Sequence, residues 1–256
     1  MKKIKKILLS LFLPVVMILT AGILSFASIT ETARALSGNG GGFFVGSNTT
    51  LNFNATISGS SATNGGGVYV SNGGTFNMNG GSISGNTATA NGNNIYNAGT
   101  FTMTGGRVGT SGSSSSGYGV YNTGTMNLYG GNVYDNVYSS ADIKTKMACN
   151  IAGTITLGDS ATITVQDYAG TTPEYNIEVS SSRQSGTIVT FKGSTVEPIL
   201  SKINVTGYDS ESYAVKTKKD SSGNWTISLV ENSYDFPSDW KTQVASTTYM
   251  TTTITP

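Results

Sequence analysis

Hydrophobic residues alternate with small polar residues in a short string that recurs along much of the chain. One copy, "GTFTMTGG", places Phe101 and Met103 two residues apart, and a double glycine follows. Side chains two residues apart lie on the same face of a β-strand, so the string predicts a short strand with one buried face. Glycine tolerates positive φ, so the pair predicts a tight corner after the strand.

The copies of this string follow each other at a regular interval. They begin at six threonines, of which the first four are 25 residues apart: Thr50, Thr75, Thr100, Thr125, Thr154 and Thr187. The step to Thr154 is longer, which we interpret as a loop insertion, and the copy at Thr187 is looser. Self-similarity at such a period is the signature of repeat architectures.

Apolar residues form aligned columns across these copies. The first column contains Leu51, Phe76, Phe101, Met126 and Ile155, and the second contains Phe53, Met78, Met103, Leu128 and Leu157. A short strand after the double glycine turns inward Ile57, Ile83, Val108 and Val133, and a third strand aligns Phe43, Val68, Ile95 and Val120. Each unit therefore comprises three short strands and three corners.

A single unit of this kind cannot bury its own apolar side. Stacking the units at about 4.8 Å pairs every strand with its copy in the next turn and encloses a continuous core. The predicted fold class is therefore all-β, a parallel β-helix built from three-strand coils of about 25 residues. An open end would expose unpaired strand edges, so we also expect a C-terminal cap.

We divide the chain into three regions. Residues 1–35 read as an export signal, because "MKKIKK" precedes an apolar run and small-residue cleavage contexts follow; an uncleaved membrane anchor is the alternative. Residues 36–198 are assigned to the β-helix. Residues 199–256 are assigned to cap strands and a tail, with "DSSGN" forming a hairpin-like turn into "WTISLV".

Composition narrows the range of functions. The chain has 33 Gly, no His and one Cys, and 11% of its residues are charged. The absence of His excludes a histidine triad or a histidine-ligated zinc, and no nucleotide-binding loop is present, so no cofactor is expected. Arg107 is the only charged residue between Ala35 and Tyr134, so no basic patch can bind nucleic acid. Cys149 is predicted to be a buried apolar residue.

The strings "GGSISGNTA", "GGGVYV" and "GTFTMTGG" resemble the repeats of right-handed parallel β-helix surface proteins of Gram-positive bacteria, which share the pectin-lyase-like fold. They have a more distant likeness to the repeats of chlamydial polymorphic membrane proteins. The resemblance covers about 38–163. It implies right-handed winding and a secreted or cell-surface location in a bacterium.

Outward-facing residues are the candidates for ligand contact. If Val68 and its equivalents point inward, a row of tyrosines points outward, and aromatic rings can stack on sugars. The strand before the double glycine presents rows of threonine and asparagine. The candidate ligand face consists of Tyr69, Tyr96, Tyr121, Thr75, Thr100, Thr102, Thr125, Asn77, Asn127 and Tyr129. The plainer interpretation is structural, because Thr and Tyr favour strands and stacked ladders stabilise coils. Inward Asn97 and Asn122 would then form an asparagine ladder at a corner.

We expect a non-catalytic, exported protein that presents an extended surface to glycans or to a host matrix, and that touches membrane only through its N-terminal segment. One alternative is a polysaccharide lyase or hydrolase that uses the carboxylates of the later coils, which are Asp135, Asp142, Asp159 and Asp167. In the plainer view these four are solvated loop residues. The other alternative is a purely structural cell-surface spacer.

Overall fold

The structure is a computed structural model that describes residues 17–19, 22–26, 30–32, 38–112 and 117–232, the first three ranges as backbone only. Within these ranges the chain is nearly all β-strand, with one 3₁₀ turn, η1 (Leu200–Lys202). Most strands pair in parallel with a strand one turn away, and together they form a β-solenoid. The predicted fold class is confirmed.

Sheet A stacks nine parallel strands along the solenoid axis. In order of position they are β1 (Met17–Leu19), β4 (Phe43–Val45), β7 (Val68–Val70), β10 (Ile95–Asn97), β13 (Val120–Asn122), β16 (Val137–Ser139), β19 (Thr154–Leu157), β21 (Tyr175–Val179) and β23 (Ile203–Thr206).

Sheet B has fourteen strands and contains two parallel ladders and an antiparallel end. The first ladder is β2 (Gly22–Phe26), β5 (Thr49–Ser58), β8 (Thr75–Ile83), β11 (Thr100–Met103), β14 (Thr125–Leu128), β17 (Ile143–Thr145), β20 (Ile163–Val165) and β22 (Gly186–Phe191). The second ladder uses the far halves of β5 and β8 with β3 (Thr30–Thr32), β12 (Arg107–Val108), β15 (Gly131–Val133) and β18 (Cys149–Ile151). The antiparallel end is β24 (Tyr213–Lys219) and β25 (Trp225–Glu231). Sheet C is the pair β6 (Ser61–Asn64) and β9 (Thr87–Asn91).

The core consists of the predicted apolar columns in the first four coils. Phe76 lies in register with Leu51 before it and Phe101 after it, and all three side chains are fully buried. The rings of Phe76 and Phe101 are stacked, with their centroids 5.4 Å apart. On the far side of the corner, Val108 pairs with Ile83 and with Val133, as predicted.

The columns continue differently from the prediction beyond the fourth coil. Ile155 and Leu157 do not follow Met126 and Leu128, because they lie on β19 in sheet A. Their predicted places are taken by Ile143 and Thr145, which pair directly with Met126 and Leu128. The assignment of Thr154 to the threonine row was therefore wrong as well.

The cause is a change in the length of the coil. Val68 and Ile95, partners in sheet A, are separated by the strand β9 of sheet C and its turns. Val120 and Val137 are also partners, but they are only 17 residues apart, and no strand of sheet C lies between them. The solenoid loses this outer arm, and its later coils are built on a shorter period.

The double glycines form corners, but they do not all end a strand. Gly81, Gly106 and Gly131 have positive φ of 78°, 84° and 88°, as a tight corner requires. Even so, β8 continues through Gly80–Gly81, with a shift of register opposite β5 between Phe53 and Asn54. The predicted break is present after Met103, where β11 ends before the glycines.

A polar ladder occupies the corner between sheets A and B. Asn97 donates from Nδ2 to Oδ1 of Asn122 at 2.6 Å, and Asn122 donates to Oγ of Ser139 at 2.8 Å. The Asn122 amide also donates to the carbonyl oxygen of Gly124 at 3.0 Å. All three ladder side chains are fully buried, which confirms the predicted asparagine ladder and extends it by one serine.

Replacing Asn122 by alanine is expected to lower the free energy of unfolding by about 2 kcal/mol, because a buried group that loses its partner costs roughly 1–3 kcal/mol. The Gly124 carbonyl and the Ser139 hydroxyl would both lose a donor. Urea denaturation followed by circular dichroism measures the change. Asn150→Ala is the control, since Asn150 is exposed on β18 and its loss should have little effect. Equal effects of the two substitutions would contradict this role of the ladder.

A hairpin caps the C-terminal end of sheet B. Strand β25 pairs antiparallel with β22 on one side and with β24 on the other. Asp220 accepts hydrogen bonds from the backbone N–H groups of Ser222 and Asn224, which forms the predicted turn. The outer strand β24 carries Lys216 and Lys218, and charge on an edge strand disfavours pairing with another chain. The C-terminal tail, including Trp240, lies outside the described residues.

Three short strands pair with the first complete coil at its N-terminal side. Strand β1 pairs with β4, and β2 and β3 pair with β5, all in parallel. These strands fall within the predicted export signal, whose remaining residues lie outside the described ranges. Its cleavage stays a prediction.

Candidate functional site

Sheet A presents a row of aromatic side chains on its outer face. Strands β4, β7, β10, β13 and β16 each have a central aromatic residue between two buried ones, and each ring is half-buried. The register places these residues side by side. We call Phe44, Tyr69, Tyr96, Tyr121 and Tyr138 the aromatic row. The outward direction of Tyr69, Tyr96 and Tyr121 agrees with the prediction.

The sequence pattern did not identify Tyr138 as part of this row. The triplet "VYS" on β16 matches "VYV", "IYN" and "VYN" on the three strands before it. It comes 17 residues after the previous triplet, so an alignment at the longer period misses it. Comparing the strand triplets themselves, without a fixed interval, would have found it.

The rings of the aromatic row cover one another. Neighbouring centroids are 5.3, 5.0, 5.4 and 4.5 Å apart from Phe44 to Tyr138, and the planes of neighbouring rings differ by 8–22°. Tyr118 lies beside the end of the row, 5.4 Å from the Tyr138 ring. Each inner ring therefore has both faces against neighbours, and solvent meets mainly ring edges and hydroxyl groups. Sugars cannot stack on the inner rings, contrary to the simplest form of the hypothesis.

The exposed edge of the row is electrically neutral. Burial, and next the neighbouring Tyr96, raises the pKa of Tyr69 above its ordinary value. Burial, and next Tyr138, raises the pKa of Tyr121 in the same way. These phenols therefore stay protonated at physiological pH, and each can donate and accept a hydrogen bond.

The threonine and asparagine rows lie on sheet B, across the corner from the aromatic row. Thr75, Thr100 and Thr125 are in register, and so are Asn77, Thr102 and Asn127; all six point outward. Their polar groups bond to each other between coils. The Asn77 amide donates to Asn52 at 2.9 Å, and the Asn127 amide donates to Thr102 at 3.3 Å.

The same sheet becomes charged in the next coil. Lys144 follows Asn127 in register, where Thr156 was predicted. Lys146 places its ammonium 5.3 Å from the centre of the Tyr129 ring, so Tyr129 is engaged within the protein. With their hydrogen bonds used between coils, these rows serve the stacking of the solenoid more than the capture of a ligand.

The four aspartates proposed for catalysis have separate partners. Asp135 is buried and accepts a 2.5 Å hydrogen bond from Asn94, so its assignment as a solvated loop residue is wrong. Asp142 accepts from Thr162, and Asp167 accepts from the backbone N–H of Met147. Asp159 accepts a 2.7 Å bond from Ser182. Within the described ranges, no three acidic, histidine or cysteine side chains are grouped as metal ligands.

Cys149 is buried in the core, as predicted. Burial raises the pKa of its thiol to about 12. The reactive form of cysteine is the thiolate, so this side chain is an apolar packing residue at physiological pH.

Fold and surface together define a class of protein, a parallel β-solenoid with an aromatic row on one sheet and an uncharged polar face on the next. No family model, no curated protein and no solved structure matches the chain. Among the described residues, no helix has the length and apolar character needed to cross a membrane.

Proposed function

We propose that the protein is an exported bacterial solenoid that binds a linear polysaccharide along its aromatic row, without catalysing a reaction. The observation that carries this proposal is the row itself: five half-buried rings at regular spacing on one straight sheet face. Side chains that serve only the core would be covered, whereas these leave their edges and hydroxyl groups in water.

The spacing of the row suits a polymer. Stacked strands repeat at about 4.8 Å, which is close to the length of one sugar residue in an extended β-linked chain. A polysaccharide that lies along the axis can therefore repeat one weak contact at successive tyrosines. Linked contacts add because every later one is intramolecular, so a flat surface without a deep pocket can still bind a polymer.

The chemistry of the row favours an uncharged, hydroxyl-rich ligand. Phenol groups can both donate to and accept from sugar hydroxyls. The coils that carry Tyr69 and Tyr96 have a single charged residue, Arg107, on the other sheet, so nothing there attracts a polyanion. The catalytic alternative rests on Asp159 alone among the four aspartates, because only that carboxylate borders a concave surface.

A spacer role is the competing proposal, and the mutual coverage of the rings favours it. Each aromatic pair adds about 0.5–1.5 kcal/mol of stability beyond its buried area. The two proposals differ in what the hydroxyl groups do, since stacking needs the rings but not the oxygens.

A triple variant with Tyr69, Tyr96 and Tyr121 changed to Phe separates the two roles. We expect binding of a soluble neutral polysaccharide to weaken tenfold or more, because each lost hydrogen bond is worth roughly 0.5–1.5 kcal/mol. The midpoint of urea denaturation should change little, because the rings stay stacked. Affinity electrophoresis in gels with hydroxyethyl cellulose, β-glucan or mannan measures the binding.

The matched control changes Thr75, Thr100 and Thr125 to Val. These residues lie on sheet B, and valine keeps their shape and strand preference. The control should bind as the wild type does. Wild-type protein that binds none of these polysaccharides would leave the spacer role as the better account.

A further inference from the structure

The aromatic row ends at Tyr138 with one ring face left uncovered. Tyr121 stacks on one side of the Tyr138 ring at 4.5 Å. In the next coil the same outward position of sheet A is occupied by Thr156, and after it by Glu178. A threonine cannot cover a ring as a tyrosine does. Tyr138 therefore has a free face of the kind that the inner rings of the row lack.

A concave site lies at this end of the row. The cavity has a volume of about 440 Å³, within the range of roughly 300–1,000 Å³ typical of ligand sites. Its wall contains one aromatic ring, one carboxylate and several hydroxyl groups. The lining residues are Tyr138, Ser140, Thr156, Leu157, Gly158, Asp159, Ser160 and Ser180.

The shape of the cavity follows from the shortened coils. The turn after β19 packs against the turn after β16, and the backbone N–H of Gly158 donates to the carbonyl oxygen of Ser139 at 2.8 Å. A Cβ added to Gly158 would lie 3.1 Å from Cα of Ser140, so glycine permits this close approach. The two turns form the floor beside Tyr138, and Asp159 comes directly after the glycine.

Asp159 is held as a charged acceptor. Its Oδ1 accepts a 2.7 Å hydrogen bond from Ser182, whose hydroxyl lies 2.6 Å from that of Ser180. The hydrogen bonds from Ser182 and Ser180, together with the nearby charge of Arg183, hold the pKa of Asp159 below its ordinary value. A carboxylate has about four acceptor positions, so Asp159 can accept further hydrogen bonds from a ligand.

We propose that this cavity is a subsite for one neutral pyranose residue, which stacks on the free face of Tyr138 and donates its hydroxyl hydrogens to Asp159. An apolar ring face beside a charge-assisted acceptor matches the two sides of a sugar, one lined by C–H groups and one by hydroxyls. Glu178 lies one position beyond, where Thr156 donates to its Oε2 at 3.1 Å. Two carboxylates so close repel a uronic acid, so the subsite selects neutral sugars.

This proposal rests on the proposed function and adds a register to it. Along the row every tyrosine offers the same contact, so a polymer gains nothing by lying at one position instead of sliding by one coil. The subsite differs from every position in the row. A sugar bound there fixes where the chain sits along the solenoid.

Short oligosaccharides separate the subsite from the row. A neutral tetrasaccharide, such as cellotetraose or mannotetraose, is expected to bind the wild-type protein in isothermal titration calorimetry, and tetragalacturonate is not. Asp159→Asn and Tyr138→Leu should each weaken tetrasaccharide binding at least tenfold. Glu211→Gln, which removes an exposed carboxylate on the cap, should leave it unchanged.

The row variant with three phenylalanines completes the test. It should keep its affinity for the tetrasaccharide while it loses affinity for the polymer. A wild-type protein that binds polymer but no tetrasaccharide would overturn the subsite and leave the row intact. Full tetrasaccharide binding by Asp159→Asn and Tyr138→Leu would do the same. Absence of any polymer binding would overturn the proposed function itself. Urea denaturation of each variant confirms that it is folded.

Discussion

Replacing Phe101 by alanine is expected to lower the free energy of unfolding by about 3–5 kcal/mol, the usual cost of removing a buried aromatic side chain. Phe101 is fully buried in the third coil and stacks on Phe76 at 5.4 Å. It is also in register with Met126 of the following coil. In a solenoid each coil is stabilised mainly by its two neighbours. The cavity would therefore weaken two interfaces between coils at once.

Urea denaturation monitored at the β-sheet circular dichroism band measures this loss. Thr102→Val is the matched control, because Thr102 is the next residue on the same strand and faces outward. A surface change of this kind usually stays within about 0.5 kcal/mol. Hydrogen exchange should become faster in β8, β11 and β14, the strands around the cavity. A loss below about 1 kcal/mol for Phe101→Ala, less than any typical aromatic truncation in a core, would mean that the columns are not the main source of stability.

The inner architecture of the first four coils could be read from the sequence, because two independent signals agree there. The alternation of Phe101 and Met103 with threonines defines which face is buried. The constant interval then aligns each residue with its copy, so columns such as Leu51 and Phe76 follow without knowledge of the corners. Parallel stacking in register needs nothing more than these two signals.

The later coils could not be read in this way, because both sheets use the same strand pattern. "GTITLG" around Ile155 resembles the sheet B strings, yet it lies in sheet A opposite Val137. Which sheet a strand joins depends on the number of residues in the corners before it. Once the outer arm is lost after Val120, the expected interval assigns the strand to the wrong sheet. Pairing of Ile143 with Met126 settles the assignment only in three dimensions.

The candidate site divides along the same line. The outward tyrosines of the first coils follow from strand alternation, so Tyr69, Tyr96 and Tyr121 could be named from the sequence. The stacking of their rings could also be anticipated from the strand spacing, although the loss of free ring faces was not. The cavity at Tyr138 could not be found, because it depends on the close approach of two turns and on the distant Ser180.

Replacing Gly81 by alanine is expected to have the largest effect of any single methyl group in the described part of the chain. Gly81 has a φ of 78°, which disfavours every residue with a Cβ. An added Cβ would also overlap the backbone oxygen and nitrogen of Ala55 in the preceding coil. Backbone atoms cannot rotate away as a side chain does, so the two coils would have to move apart. A loss on the order of 4 kcal/mol or more follows, in the range that marks a specific steric conflict.

Gly85→Ala provides the control that separates strain from overlap. Gly85 has a nearly equal φ of 65°, but nothing lies within 4 Å of the position that its Cβ would take. This substitution should cost only the left-handed backbone penalty, about 1–2 kcal/mol. The difference between the two variants in urea denaturation then measures the steric conflict between coils. Equal losses would show that positive φ alone makes the corner glycines necessary. A much larger loss for Gly81→Ala would show that they are required because the coils stack too closely for a side chain, which would make the double glycine a consequence of the solenoid spacing itself.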